Sequence, residues 1–346
     1  MNGKYKPNKK NGGIIPPLRD IRVKGVPIGC GNCMECRKKK AREWQVRLLE
    51  DVKHNTNGIM VTLTFSDKSI SKLKRDVLKE SIEEIKGYEL DNRIATKAVR
   101  KFTERWRKKY KKTVRHWLVT ELGHNGTENI HLHGIIWTNE SVNEIRDKWG
   151  YGYIYPRNED EEKVNYVSER TVNYIVKYIY KQDTKHKHYK SKILVSNGIG
   201  KSYIESKEAE RNKYKANGET IETYKTRTGH EIAMPIYWRN KIYNEEEREK
   251  LWIEKLDTNE RYIGGEKINI KNNEDEYYNL LKWYKAKSER LGYGKDVTDW
   301  NEKKYEEQRR DLLNEIREKK ADAQESGLAG SKNPAKKAST EKILHK

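Results

Sequence analysis

The chain has 346 residues, of which 37% are charged and only 34% hydrophobic, so much of it must lie on solvated surface or in a tail. Its formal net charge of +21 favours a polyanionic partner such as a nucleic acid, although an A/T-rich genome would also enrich lysine. No run is long enough to span a membrane and no apolar signal-peptide core precedes it, which predicts a soluble, cytoplasmic protein with no membrane partner.

Three cysteines, Cys30, Cys33 and Cys36, follow a polar N-terminal segment that we expect to be extended. Their spacing is typical of a zinc knuckle, but a structural zinc site needs four ligands, and His54 is the conceivable fourth. The alternative is a group of reduced thiols, which the lack of a second cysteine pair favours. The basic residues 37–42 then open a predicted helix, and they either contact DNA phosphates or simply face solvent.

The next segments predict alternating strands and helices. Residues 59–65 form the first predicted strand, and residues 67–90 predict a loop that contains a short helix. Asp91 is a good N-cap for an amphipathic helix that runs to about residue 110. Further predicted elements are a strand over residues 114–121, a helix from Ser141 to Trp149 and a strand over residues 151–155.

A candidate metal site lies in the predicted strand of residues 130–137. His131 and His133 share one face of this strand, because alternate residues of a strand point the same way. An Asn-Gly turn signal at residues 125–126 predicts an antiparallel hairpin that brings Glu121 close to His131. Two imidazoles and one carboxylate leave positions open for phosphate oxygens, which suits Mg²⁺ or Mn²⁺, although zinc would accept the same ligands. The alternative is a pair of core histidines, and the register is open.

Candidate nucleophiles lie in a helix predicted from about Lys163. Tyr174, Lys177, Tyr178 and Lys181 fall together on roughly the opposite side from an apolar stripe, which consists of Val172, Ile175, Val176 and Ile179. Lysines lower the pKa of a nearby phenol and stabilise phosphate charge, as a tyrosine nucleophile requires. The alternative is that the tyrosines are core packing.

The C-terminal half is less informative. Residues 196–202 look like a phosphate loop, but the Walker pattern requires glycine at the position of Val195, so we expect no nucleotide site. Residues 217–237 predict a strand pair and residues 245–256 a helix. Residues 277–320 are predicted to be helical and residues 321–346 disordered. The predicted segments are therefore 1–57 (basic, with the cysteines and a helix), 58–183 (catalytic core), 184–257 (accessory strand pair and helix) and 258–346 (charged tail, helical then disordered).

A strand with His131-Leu132-His133, an upstream Glu121 and a helix with Tyr-x-x-Lys-Tyr-x-x-Lys resemble the HUH endonuclease superfamily, which includes rolling-circle replication initiators and conjugative relaxases. The order of the cysteine triplet, residues 61–65, the histidine strand, the paired tyrosines and residues 198–201 resembles more closely the replication initiation proteins of microviruses of the gokushovirus type. The resemblance covers about residues 25–245.

This resemblance implies an α+β fold: an RRM-like (ferredoxin-like) domain with a central antiparallel sheet flanked by helices. It implies a divalent metal, Mg²⁺ or Mn²⁺, bound by Glu121, His131 and His133. It also implies nucleophiles at Tyr174 and Tyr178, and it matches the motif's lysines to Lys177 and Lys181, each named here by its position in this chain.

The activity that the resemblance implies is nicking of single-stranded or origin DNA. A tyrosine would form a 5′-phosphotyrosine and release a free 3′-hydroxyl primer, and strand joining would follow. Host helicase and DNA polymerase are the expected partners, in the cytoplasm of a bacterial host if the protein is viral.

Two other functions are compatible with the sequence. A relaxase or transposase-like nuclease of a mobile element shares the chemistry, and neighbouring genes for capsid or mobility proteins would distinguish it. A non-catalytic, basic single-stranded nucleic-acid-binding protein would explain the charge but not the combination of Glu121, His131 and His133 with a tyrosine face.

Overall fold

The core of the protein is a five-stranded sheet in which every neighbouring pair of strands is antiparallel. Its strands are β1 (Gly58–Leu63), β2 (Arg115–Leu122), β3 (Ile130–Trp137), β4 (Ile154–Tyr155) and β5 (Ile193–Val195), in the order β4-β1-β3-β2-β5. The computed structural model describes residues 6–17, 19–20, 23, 31, 33–124, 126–156, 167–181, 183, 185–271, 274–292 and 300–325.

Helices cover both faces of this sheet. In chain order they are α1 (Met34–His54), α2 (Asp67–Glu80), α3 (Gly87–Tyr110), α4 (Val142–Trp149) and α5 (Glu169–Tyr180). Because side chains alternate along a strand, Trp117 and Val119 of β2 pack with α1 and α5, whereas Leu118 and Leu122 pack with α2, α3 and α4. The α+β class and the central antiparallel sheet flanked by helices are thus confirmed.

Gly134 of β3 lies where two strands approach closely. A Cβ atom at this position would lie 2.0 Å from the carbonyl oxygen of Trp117 on β2, so only glycine fits without a shift of the backbone. The glycine directly after His133 therefore has a packing role in the pairing of β2 with β3.

The helical prediction for residues 67–110 was partly wrong. Residues 67–80 form a full helix, with Ser66 as its N-cap, because Ile70, Leu73 and Val77 supply a buried stripe within a highly charged segment. The next helix begins at Gly87, so Asp91 is not an N-cap but a residue in the interior of the helix, 1% exposed. The predicted strand of residues 151–155 is only two residues long.

The accessory region contains the predicted strand pair and helix: β6 (Thr223–Lys225), β7 (Glu231–Ala233), α6 (Ile236–Ile242) and α7 (Glu245–Asp257). Gly200 connects this region to α1, since its N–H donates to Asp51 (2.8 Å) and its carbonyl accepts from the Trp238 indole (2.8 Å). Its φ of +69° and its contact with the Arg47 backbone require glycine. The backbone groups of this loop thus bind other parts of the protein, which agrees with the expectation of no nucleotide site.

The predicted tail has more structure than its composition indicated. It contains a hairpin of β8 (Glu260–Ile263) and β9 (Glu266–Asn269), which was not predicted, and the helices α8 (Glu274–Arg290) and α9 (Trp300–Glu325). Disorder from residue 321 was wrong for residues 321–325, which belong to α9; residues 326–346 lie outside the described residues. Helix α9 packs against α2 and α3. Within the described ranges, every helix is too short or too polar to cross a membrane.

Candidate metal centre and tyrosine pair

The three predicted metal ligands come together on the metal hairpin, by which we mean β2, β3 and the hairpin loop between them (residues 123–129). The register, which the sequence left open, pairs Glu121 with His131 and Val119 with His133. The ligands therefore share the face of the sheet that α1 and α5 cover.

The donor atoms of these residues converge. Glu121 Oε2 lies 3.1 Å from His131 Nε2 and 2.9 Å from His133 Nε2. Together the three residues offer ligand atoms within 4.8 Å of one another, and they form the one such group among the described residues. A cation there would replace the protons that otherwise join the imidazoles to the carboxylate.

The outer nitrogens of both imidazoles are also engaged. His131 Nδ1 lies 3.3 Å from the carbonyl oxygen of Asn129, and His133 Nδ1 lies 3.0 Å from Thr62 Oγ1 on β1. A carbonyl oxygen only accepts, so the bond to Asn129 places a proton on His131 Nδ1 and leaves Nε2 for a metal. The donor set thus fits a divalent cation. Thr62 and Asn129 were not found from the sequence, because neither belongs to a recognisable metal motif.

The electrostatics of the centre favour ligand charge states. Burial disfavours the ionised form of Glu121, but the hydrogen bonds from His131 and His133 outweigh it and lower the pKa of Glu121 to about 2. Burial is also the main influence on His133 and lowers its pKa, although Glu121 opposes the shift. At neutral pH the carboxylate is therefore charged and the His133 imidazole is neutral, as metal coordination requires.

Both predicted nucleophiles lie next to this centre. The ring of Tyr178 stacks on His133, with the ring centroids 4.4 Å apart and the planes 2° from parallel. The hydroxyl of Tyr178 donates to the hydroxyl of Tyr174 at 2.7 Å. Helix α5 begins at Glu169 rather than near residue 163: Ser168 caps it, and residues 163–166 lie outside the described residues.

The two tyrosines differ more than the helical pattern predicted. Tyr178 is 8% exposed and belongs to the buried cluster under α5, whereas Tyr174 is 42% exposed. Burial, the bond to Tyr174 and the charge of Glu121 raise the pKa of Tyr178, so the expectation that nearby lysines lower it was wrong. Lys177 explains part of this result, because its Nζ lies over the ring of Tyr174, 3.8 Å from the centroid, and farther from Tyr178.

Lys181, the last predicted catalytic residue, is also near the centre. It is the C-cap of α5, and it lines a small cavity together with Glu121 and Tyr178. All seven predicted site residues thus lie around one point of the sheet.

A second carboxylate–imidazole group, not predicted from the sequence, lies behind the same cavity. His186, 2% exposed, donates from Nδ1 to Asp183 at 2.5 Å and from Nε2 to Glu128 at 2.8 Å. Burial alone would lower the pKa of His186, but the two carboxylates outweigh it and raise it. No local spacing connects Glu128 with His186, so the sequence offered no signal.

The cysteine prediction is only partly accessible. Cys30 lies outside the described residues, Cys33 is the N-cap of α1 and Cys36 lies in its first turn. His54 ends the same helix, about 27 Å from Cys36 at 1.5 Å per residue, so His54 as a fourth zinc ligand was wrong. Zinc binding by the cysteines stays a prediction that metal analysis can test.

Comparison with known proteins adds one match. Residues 58–183 match a family model of replication-associated proteins, the ORF2 type. The matched segment is about a third of the chain and includes the metal hairpin and both tyrosines. The match supports a replication initiator family and a role in replication initiation. No curated protein and no solved structure matches the chain significantly.

Proposed function

We propose that this chain initiates rolling-circle DNA replication as an HUH endonuclease, cutting one DNA strand with a tyrosine nucleophile. The observation on which the proposal rests is the stacking of Tyr178 on His133, with Tyr174 hydrogen-bonded to it. A phenol in contact with a metal ligand is placed where a metal-bound phosphate could be attacked.

The fold supports the proposal. Without β5, the sheet order is β4-β1-β3-β2, and the chain order is strand, helices, two strands, helix, strand. This is the connectivity of ferredoxin-like and RRM-like domains. The histidines then lie on β3, an interior strand between β1 and β2, which is a rigid position for a metal centre.

The cation is proposed to be Mg²⁺ or Mn²⁺ bound by Glu121, His131 and His133, where it would neutralise charge on the scissile phosphate. Tyr174 is the phenol that DNA reaches first, since Tyr178 is almost fully buried. In the cutting step the Tyr174 oxygen bonds to phosphorus, the bond from phosphorus to the 3′-oxygen breaks, and that oxygen leaves with a proton as a 3′-hydroxyl. The 5′ end stays on the tyrosine as a phosphodiester.

Joining is the reverse reaction with a new 3′-hydroxyl. Because the phosphotyrosine conserves the energy of the phosphodiester, no other source of energy is needed. The 2.7 Å bond between the two hydroxyls places Tyr178 close enough to take part in a second transfer after Tyr174. Lys177, over the Tyr174 ring, and Lys181, at the cavity, would attract the DNA phosphates.

The proposed partner is single-stranded or origin DNA, which the net charge of +21 supports. Host helicase and DNA polymerase would separate the strands and extend the primer. The finer assignment, to the microviruses of the gokushovirus type and hence to the cytoplasm of a bacterial host, depends on the sequence resemblance.

The test is covalent capture of DNA. The protein is mixed with Mn²⁺ and single-stranded oligonucleotides that have a random central sequence and a 3′ label. We expect a labelled adduct that survives denaturing gels, and a released fragment that DNA polymerase can extend. Sequencing the captured DNA would give the nick site.

Three results would contradict the proposal, each in a different way. DNA binding without cleavage under any divalent metal indicates a non-catalytic binding protein. Cleavage without an adduct indicates a hydrolytic nuclease. An unchanged adduct yield in excess chelator would contradict the metal site. His54→Ala, at the far end of α1, is the control variant and should behave as the wild type.

A further inference from the structure

The hairpin loop, residues 123–129, is in an unusual position for a surface turn. It joins Glu121 on β2 to His131 on β3, and its Glu128 is 2% exposed. Glu128 also has a φ of +52°, a left-handed conformation that a non-glycine residue keeps only when its surroundings impose it. Three distant parts of the chain contact this loop.

The first of these parts is helix α9. Arg310 donates to the carbonyl oxygen of Glu128 at 2.6 Å and to the carboxylate of Asp91 on α3 at 2.6 Å. Arg317 donates to the carbonyl oxygen of Thr127. The arginines are 1% and 2% exposed, so their charges are committed to these acceptors and not to solvent.

The other two parts contact the loop from different sides. His186, before β5, donates to the side chain of Glu128, as described above. Asp67, the first residue of α2, accepts from the side-chain amide of Asn129 at 2.8 Å. The backbone of Glu128 and Asn129 is thus fixed on several sides at once.

Asn129 connects this loop to the metal centre. Its carbonyl oxygen is the partner of His131 Nδ1, at 3.3 Å. A partner at Nδ1 determines both the tautomer and the orientation of a ligating imidazole. Rotation of the backbone at residues 127–129 would move that carbonyl and release the His131 ring.

We infer that Arg310 and Arg317 are positioning residues of the metal centre. By binding the carbonyl oxygens of Glu128 and Thr127, they fix the hairpin loop so that Asn129 holds the His131 imidazole with Nε2 toward Glu121. Helix α9, more than 180 residues downstream of the loop, is therefore part of the functional unit. This inference depends on the proposed metal site.

The test uses full-length variants and two measurements that do not need DNA. Mn²⁺ affinity is measured by titration calorimetry, and amide hydrogen exchange is measured over residues 126–132 without metal. Arg310→Met and Arg317→Met should each weaken Mn²⁺ binding by about tenfold or more, as loss of an outer-shell partner does. Exchange in the hairpin loop should become faster. Arg310→Lys, which keeps one donor, should give a smaller loss.

Two control variants separate positioning from general stability. Lys319→Met changes an exposed residue of the same helix and should leave affinity and exchange unchanged. Leu251→Ala opens a cavity in the separate hydrophobic cluster of the accessory region, so it should lower the melting temperature without weakening Mn²⁺ binding. If Arg310→Met does not fold, Arg310→Lys and Arg317→Met still test the inference.

The inference and the proposed metal site can fail separately. If the wild type binds Mn²⁺, His131→Ala does not, and both arginine variants bind as tightly as the wild type, only the positioning role is overturned. The same conclusion follows if Leu251→Ala weakens binding as much as Arg310→Met does. If the wild type shows no binding that depends on His131, the metal site itself is overturned.

Discussion

Two groups of carboxylates and imidazoles lie at opposite ends of the same short segment of chain, and they differ in stoichiometry. The metal centre has two imidazoles, of His131 and His133, around the single carboxylate of Glu121. The second group has the single imidazole of His186 between the carboxylates of Glu128 and Asp183.

The difference in stoichiometry decides the charge of each imidazole. His186 donates from both nitrogens to anions, which raises its pKa and favours the imidazolium. His133 is buried with only one carboxylate to share with His131, and its pKa is lowered. A cation can therefore replace protons at the metal centre, whereas at His186 the protonated ring already has the role of the cation.

Accessibility follows the same division. The metal centre borders a cavity and the tyrosine pair, whereas His186 and Glu128 are each 2% exposed. The comparison indicates that similar residue types form a reactive site in one place and a structural ion group in the other, according to the ratio of imidazoles to carboxylates and the access of solvent.

The largest effect is expected from removing a metal ligand. His131→Ala and His133→Ala should each reduce cleavage by at least a factor of about 10³, because the charge of the scissile phosphate is no longer neutralised. Binding of single-stranded DNA, measured by fluorescence anisotropy, should change little, since phosphate contacts come from the basic surface.

His186→Ala is the matched comparison for this prediction. It should lower the melting temperature but still bind one equivalent of Mn²⁺, because the three ligands are intact. Full cleavage by either ligand variant, or loss of the Mn²⁺ equivalent in His186→Ala only, would reverse the roles that we assign to the two groups.

The next effect concerns the tyrosine pair. Tyr174→Phe and Tyr178→Phe should each still form a covalent DNA adduct, with the slower reaction in Tyr174→Phe, because Tyr178 is 8% exposed and Tyr174 is 42% exposed. The double variant should form none. Each single variant should fail in a joining assay that requires both phenols in turn.

Mapping the adduct by mass spectrometry decides between one nucleophile and two. Adducts on both tyrosines support the paired mechanism. An adduct only on Tyr174, with Tyr178→Phe fully competent in joining, would reduce Tyr178 to a packing partner of His133. Tyr180→Phe, on the same helix, is the control and should retain both activities.

The sequence was sufficient for the ligands because their signals are local. The alternation of His131 and His133 and the turn after Glu121 lie within a short segment, and strand geometry determines which side chains share a face. The stacking of Tyr178 on His133 could not be predicted, since a helical projection shows the direction of a side chain but not its partner on the sheet.

The contribution of the tail was missed for a different reason. A single arginine in a charged helix is typical of a solvated surface, and nothing in the sequence marks Arg310 as buried. Its partner Asp91 is 219 residues upstream, so only the packing of α9 on α3 reveals the pair. Asp91 was accordingly interpreted as a helix cap. Long-range ion pairs with no periodic pattern were the main source of error.

The smallest effect distinguishes the two groups by pH. The folded state raises the pKa of His186, so its stabilising effect is fully present below the unfolded value of about 6.5 and is lost as pH rises through the folded value. The folded state lowers the pKa of Glu121 to about 2, so its stabilising effect is present above the unfolded value of about 4.3 and is lost on acidification.

The two groups should therefore respond to pH in opposite directions. We expect His186→Gln to destabilise the fold by on the order of 3 kcal/mol at pH 6, because it leaves two buried carboxylates without their cation. The difference in unfolding free energy from the wild type should shrink as pH rises towards 9, since the wild type itself then loses the imidazolium. Urea unfolding followed by circular dichroism at several pH values gives this difference. His230→Gln, an exposed histidine in the accessory hairpin, is the control and should show no such trend. A difference that grows with pH would mean that His186 is neutral in the folded protein, and the distinction between the two groups would then fail.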